Sequence, residues 1–182
     1  SFTTVGAGGY HSCGVTTSGG VECWGSDGSG QSSPPSGSFA TVGAGYFHNC
    51  GVTTSGSTEC WGNDGSGRSS PPSGSFAIVS AGYGHSCGVT TSGGVECWGR
   101  DFEGQSSPPP GTFTTVTAGN FHSCGVTASG SVECWGSDDD GQSSPPSGTF
   151  ATVSAGEKHT CGVTSTGSVQ CWGSMEGAPP SG

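Results

Sequence analysis

An all-β protein of the β-propeller type is what the sequence predicts, from three observations. One unit recurs five times, at 1–37, 38–74, 75–111, 112–148 and 149–182, without gaps and with a last copy that is shorter. Ten cysteines fall at one fixed spacing within those units. Val, Thr, Phe, Tyr and Trp gather in short runs punctuated by Gly, Ser, Asp and Pro, with no helical period. A unit this small cannot bury a core of its own, so the five are expected to stack into one repeat domain over 1–182.

The first unit, SFTTVGAGGYHSCGVTTSGGVECWGSDGSGQSSPPSG, shows the elements in order. A first strand is expected from Phe2 to Val5, ending at Ala7-Gly8, a second from His11 to Thr16 and a third from Val21 to Trp24. Thr17-Ser18-Gly19 reads as a three-residue hairpin loop with Gly19 left-handed. That loop sets Val15 opposite Val21, Gly14 opposite Glu22 and Cys13 opposite Cys23. The cysteines then form a non-hydrogen-bonded pair with Cα atoms about 4.5 Å apart, within disulfide reach. The expected bridges are Cys13–Cys23, Cys50–Cys60, Cys87–Cys97, Cys124–Cys134 and Cys161–Cys171. Each closes a short loop and contributes about 2–3 kcal/mol. Val15, Val21 and the cysteines share one face and Trp24 lies on the other. Both faces are bulky, so each sheet is expected between two neighbours, as a propeller blade is. The SSPPSG tail is expected to be extended and partly polyproline-like, linking one unit to the next.

Composition and charge narrow the function. The 182 residues include no leucine, and Ile78 is the single isoleucine. With 38 glycines and 11 prolines this composition leans towards disorder, but five tryptophans, eight phenylalanines and the cysteine framework reverse that reading. Regular, even-numbered cysteines point to an oxidising compartment, extracellular or at the cell surface. No CxxC occurs, which disfavours zinc. The net charge is −10, with Arg68, Arg100 and Lys158 as the basic residues, so nucleic acid and anionic membranes are repelled. No apolar run is long enough to insert in a membrane. Beginning at Ser1 without a signal peptide, the chain reads as a mature or excised segment.

No enzyme, cofactor or metal is expected, because neither a GxSxG elbow nor a GxxxxGK[ST] loop occurs. His11, His48, His85, His122 and His159 sit at equivalent places. Each is expected to bond a backbone carbonyl where a strand begins, rather than to join a metal or catalytic ring. With Trp24, Trp61, Trp98, Trp135 and Trp172 they mark the repeat. Glu22, Glu59, Glu96 and Glu133, a series broken by Gln170, would make an acidic ring if they faced a central axis. Solvated positions are the simpler expectation. Asp27, Asp64, Asp101 and Asp138 stand in loops that look like calcium loops but lack several spaced carboxylates, so turn capping is expected of them. No N-glycosylation sequon occurs, and the Ser/Thr/Pro-rich linkers are candidates for O-glycosylation.

The string AGYGHSCGVTTSGGVECWGRDFEGQ, residues 81–105, resembles the repeat of the regulator of chromosome condensation family. It has that repeat's A-G-x-x-H-S core, a hairpin ending in W-G, and a G-Q after a short loop. The match recurs in all five units, the fifth losing its G-Q. The short unit is also similar to that of the bacterial propeller that inhibits β-lactamases. The resemblance implies blades of three or four strands, in relatives of about seven blades. Five units would close into a compact ring, form a slice of a longer propeller, or stack openly.

Fold does not carry function, so the positions that differ between copies hold the information. Tyr10, Tyr46, Phe47, Tyr83, Arg100, Phe102, Asn120, Phe121, Glu157 and Lys158 are the candidate binding surface, variable aromatic and charged residues on a constant scaffold. The expected function is a non-enzymatic extracellular binding or structural module, acting through a protein partner or self-assembly. The alternatives are a multivalent, lectin-like propeller for glycans and a secreted protein inhibitor.

Overall fold

The computed structural model describes residues 1–175. Each unit folds as one three-stranded antiparallel sheet in chain order. The first holds β1 (Phe2–Ala7), β2 (His11–Thr16) and β3 (Val21–Gly25). The second holds β4 (Phe39–Ala44), β5 (His48–Thr53) and β6 (Thr58–Gly62), and the third β7 (Phe76–Ala81), β8 (His85–Thr90) and β9 (Val95–Gly99). The fourth holds β10 (Phe113–Ala118), β11 (His122–Thr127) and β12 (Val132–Gly136), and the fifth β13 (Phe150–Ala155), β14 (His159–Thr164) and β15 (Val169–Gly173). The blades therefore have three strands, not four. The shortened loop of the fifth unit lies largely outside the described residues.

The hairpin register is the expected one: Val15 faces Val21, Gly14 faces Glu22 and Cys13 faces Cys23. Gly19 takes φ +91°, which an L side chain rarely adopts, and closes the loop. The five expected disulfides are present, with Cα separations of 4.0–4.1 Å. The first strand runs two residues further than expected, because Gly6 and Ala7 pair with Cys13 and Ser12. It also carries a β-bulge at Thr3 that recurs in every blade. The extra residue turns Phe2 and Val5, three apart in sequence, onto one face. Both lie over Gly14, where a Cβ would sit 2.7 Å from the Phe2 ring, so a larger residue would displace the ring.

The cores lie between blades. Cys13 and Val15 of the first blade pack with Phe39, Val42 and Trp61 of the second. The same interface joins Cys50 and Val52 to Phe76 and Trp98, Cys87 and Val89 to Phe113, Val116 and Trp135, and Cys124 and Val126 to Phe150, Val153 and Trp172. The disulfide face of one blade thus meets the Phe/Val/Trp face of the next. At the first blade that second face is open: Phe2, Val5 and Trp24 are 43%, 66% and 48% exposed, against 2%, 9% and 8% for Phe39, Val42 and Trp61. At the other end Val169 is exposed. A compact closed ring, one of the arrangements considered from the sequence, would cover Phe2, Val5 and Trp24 with the fifth blade. The five blades instead form an open arc.

Two sets of hydrogen bonds tie the arc together. On the inner side, backbone N–H groups of Gly9, Tyr46, Tyr83 and Asn120 donate to the carbonyls of Gly45, Gly82, Gly119 and Gly156 one blade on, at 3.0–3.1 Å. Deeper in, each loop after a tryptophan offers a carbonyl to the following blade. The Gln31 carbonyl accepts the Trp61 indole N–H at 3.2 Å and the Asn49 amide at 2.7 Å. The Arg68, Gln105 and Gln142 carbonyls accept Trp98, Trp135 and Trp172 in the same way.

The histidines complete this lock, but not as expected. His11, His48, His85 and His122 bond through Nε2 to the side chains of Asn49, Ser86, Ser123 and Thr160 in the next blade, at 2.7–2.8 Å, and not to backbone carbonyls. The hydroxyls of Ser86, Ser123 and Thr160 then donate to the loop carbonyls. A hydroxyl that donates there accepts from the imidazole, so the ring carries its proton on Nε2. Burial above all, with smaller contributions from neighbouring Arg68 and histidines, lowers the pKa of His48 and His85 to about 3 and that of His122 to about 4.

Two predictions follow from the interfaces. Trp98→Ala empties a buried site and loses a hydrogen bond, so it should cost about 3–5 kcal/mol in denaturant unfolding, whereas Trp24→Ala at the open face should cost about 1 kcal/mol. The buried histidines bind protons in the unfolded chain at a higher pH than in the folded one. Stability is therefore full above pH 6.5 and falls as pH drops towards 4, by up to about 1.4 kcal/mol per pH unit for each histidine. Thermal melts at pH 7, 5.5 and 4.5 check the sign: a flat profile would contradict the buried neutral state.

Candidate functional site

The inner strands β1, β4, β7, β10 and β13 all end at an alanine followed by glycine, and these Ala-Gly segments meet at the axis of the arc. Glycine is required there by close approach. A Cβ on Gly45 would lie 2.5 Å from the Gly82 carbonyl oxygen, and Gly82 and Gly119 stand in the same relation to the next blade. The backbone ring floors a cavity of about 230 Å³. Tyr46, Tyr83, Asn120 and Glu157, which occupy one position in four successive units, line its mouth.

Around that mouth the variable aromatics join into one surface. Tyr10 meets Tyr46 edge-on at 5.2 Å between ring centroids, and their hydroxyls lie 3.2 Å apart. Tyr46 touches Phe47 at 4.6 Å and Tyr83 at 4.9 Å, and Tyr83 reaches Phe121 at 5.8 Å. The Arg100 guanidinium then sits over Phe121 at 5.1 Å and over Phe102 at 5.0 Å. Tyr10 and Phe102 are exposed at 59% and 82%. The hydrogen bond to Tyr10 and that ring's proximity hold the Tyr46 phenol above its usual pKa, with smaller contributions from Tyr83 and Glu157.

Of the ten candidate residues, seven form this continuous run and Asn120 and Glu157 share the cavity mouth with it. Lys158 points to a different use: its ammonium pairs with Asp140 at 3.5 Å. Three further contributors, at variable positions of the repeat, lie outside the candidate set. Gly9 makes room for Tyr46, since a Cβ there would sit 2.6 Å from its ring, and Gly84 accommodates the Arg100 stem. Arg68 donates to the Tyr83 carbonyl at 3.1 Å and so props the rim from below. The signal for the glycines was present, as gaps in an otherwise aromatic series, but it becomes legible only when the neighbouring blade is in place.

The other series stay outside the site. Glu22, Glu59, Glu96 and Glu133 are exposed on the outermost strands, β3, β6, β9 and β12, so no acidic ring faces the axis. Asp27 accepts the Ser32 N–H and the Ser33 hydroxyl through its two oxygens, both at 2.7 Å, and Asp64, Asp101 and Asp138 repeat the arrangement. They cap their turns. No cluster of three or more His, Cys, Asp and Glu suited to a metal occurs among the described residues.

No curated protein sequence matches the chain. Among solved structures it superposes on the ectodomain of the receptor kinase CR4 from Physcomitrella patens with a TM-score of 0.80 at 29% identity, over 94% of this chain and 50% of that one. The CRINKLY ectodomain of the Arabidopsis thaliana receptor kinase ACR4 gives 0.81 at 30% identity, over 94% and 65%. Prp20p of Saccharomyces cerevisiae gives 0.83 at 16% identity, a likeness of fold alone. The chain thus spans half to about two thirds of the length of the two receptor ectodomains. The regulator of chromosome condensation repeat model matches residues 2–31, 76–105, 113–142 and 150–176. The second unit goes unmatched, and it is the one with Asn49 for serine or threonine, Thr58 for valine and Arg68 for glutamine. Its blade is nonetheless like the others, because the lock uses the carbonyl of Arg68 rather than its side chain. With the repeat signature over most of its length and the propeller blades in place, the chain belongs to the regulator of chromosome condensation repeat family.

Proposed function

We propose that this chain is a non-catalytic, extracellular binding module that presents its asymmetric aromatic rim to a protein partner. The observation that carries this reading is the run of ring contacts from Tyr10 to Phe121, which crosses four blades and makes one surface from positions that vary between units. Large, rigid aromatic side chains with an arginine beside them are the composition of interface hot spots. Five disulfides and the likeness to two receptor ectodomains support an extracellular setting. Four of the five histidines are spent on the blade lock. A lectin with one sugar site per blade would need the aromatics to recur in each unit, and they do not.

A phage-displayed peptide library selected against the disulfide-intact chain tests this. Selected peptides should lose at least about tenfold in affinity on Tyr46→Ala or on Phe102→Ala, the latter at a position too exposed to matter for folding. Binding indifferent to both substitutions would reject the rim, and glycan binding at one site per blade would favour the lectin instead.

The open end faces favour a second reading, self-assembly. Phe2, Val5 and Trp24 present the surface that four internal interfaces cover with a disulfide face, and the fifth blade presents such a disulfide face uncovered. Such a contact between copies is heterologous, head to tail. Light scattering should then show mass rising with concentration, and Trp24→Asp should abolish the rise. A monomer mass at every concentration would sink this reading.

A further inference from the structure

The mouth of the axial cavity combines aromatic faces with a carboxylate that has nothing to neutralise it. Tyr46 and Tyr83 line it, with Tyr10, Phe47 and Phe121 packed behind them. Asn120 and Glu157 line the same mouth from the fourth and fifth blades. Glu157 is exposed and has no ion-pair partner among the described residues, where Lys158 is taken by Asp140. The floor is Ala-Gly backbone and offers no cation.

We propose that this mouth takes a single cationic side chain, arginine or lysine, from the protein partner. The inference rests on the rim being the binding surface, and it adds the chemistry of what the rim selects. A neutral ligand closing over the mouth would strip water from Glu157 and return nothing for it, whereas a cation offsets that desolvation. The rings supply the remaining attraction, since a guanidinium or ammonium is drawn to an aromatic face. The same surface already holds a cation in this way: the Arg100 guanidinium stands 5.0 Å from the Phe102 centroid and 5.1 Å from that of Phe121. The net charge of −10 draws a basic partner from a distance, which makes association sensitive to salt.

The test is a titration of the full, disulfide-intact chain with acetyl-Gly-Arg-Gly-amide and with its citrulline counterpart, a neutral isostere of similar shape. Chemical shifts of Tyr46, Tyr83 and Glu157 report where binding occurs. The arginine peptide should bind about tenfold more tightly than the citrulline peptide. Glu157→Gln, at an exposed position that leaves the blades intact, should remove about tenfold of the arginine affinity, and raising the salt from 50 to 500 mM should weaken it further. Equal affinity of the two peptides at the rim, or no effect of Glu157→Gln, overturns the cationic preference while leaving the rim as the surface. Failure of both peptides to shift these residues also overturns it, and leaves the library selection to decide the rim separately. Shifts confined to another part of the arc overturn both.

Discussion

In the loop after each of the first four tryptophans one carbonyl oxygen receives two hydrogen bonds from the following blade, and most of the structure depends on that arrangement. At Arg68 it accepts the Trp98 indole N–H at 2.9 Å and the Ser86 hydroxyl at 3.1 Å, while Ser86 itself accepts from His48. One point thus joins a loop and an outer strand to the middle strands of two successive blades. The groups are buried, so leaving any of them unpaired would cost the full desolvation penalty of that group. This explains how a chain without leucine holds together. Its apolar cores are small and lie between sheets, and beside each of them a histidine Nε2, a short polar side chain and a loop carbonyl are joined by hydrogen bonds.

Because the lock acts through backbone carbonyls and a short hydroxyl or amide, it leaves other positions free. The two residues after each Ala-Gly turn are fixed by main-chain hydrogen bonds, such as Tyr46 N–H to Gly82 and Asn63 N–H to Phe47, whatever their side chains are. They can therefore change from unit to unit without loosening the arc. The result is a regular scaffold with an irregular edge, where Gly9 and Gly84 act as gaps into which Tyr46 and the Arg100 stem settle.

Much of the fold was legible in the sequence for a simple reason. A three-residue loop with a left-handed glycine fixes the hairpin register, and the register alone places the two cysteines opposite each other. The bulge at Thr3 was not legible, because nothing in Phe2-Thr3-Thr4-Val5 distinguishes a bulged strand from a regular one until Phe2 must share a face with Val5. The histidine partners were missed because they lie 38 residues away in the next blade, and a local reading offers a carbonyl first. The rim residues were marked by their variation. Their assembly into one patch is a product of blade geometry, which no single unit contains.

Each interface is made of two unlike halves, and every unit carries one of each. Deleting or duplicating a whole unit consequently leaves the same two chemical surfaces at the ends of the array. The length of the array is thereby uncoupled from the means of its cohesion. Copy number can drift through unequal recombination at no cost to any single junction, while the order of the units decides which rim residues become neighbours. In such a molecule, rearranging whole modules alters recognition as directly as substituting residues.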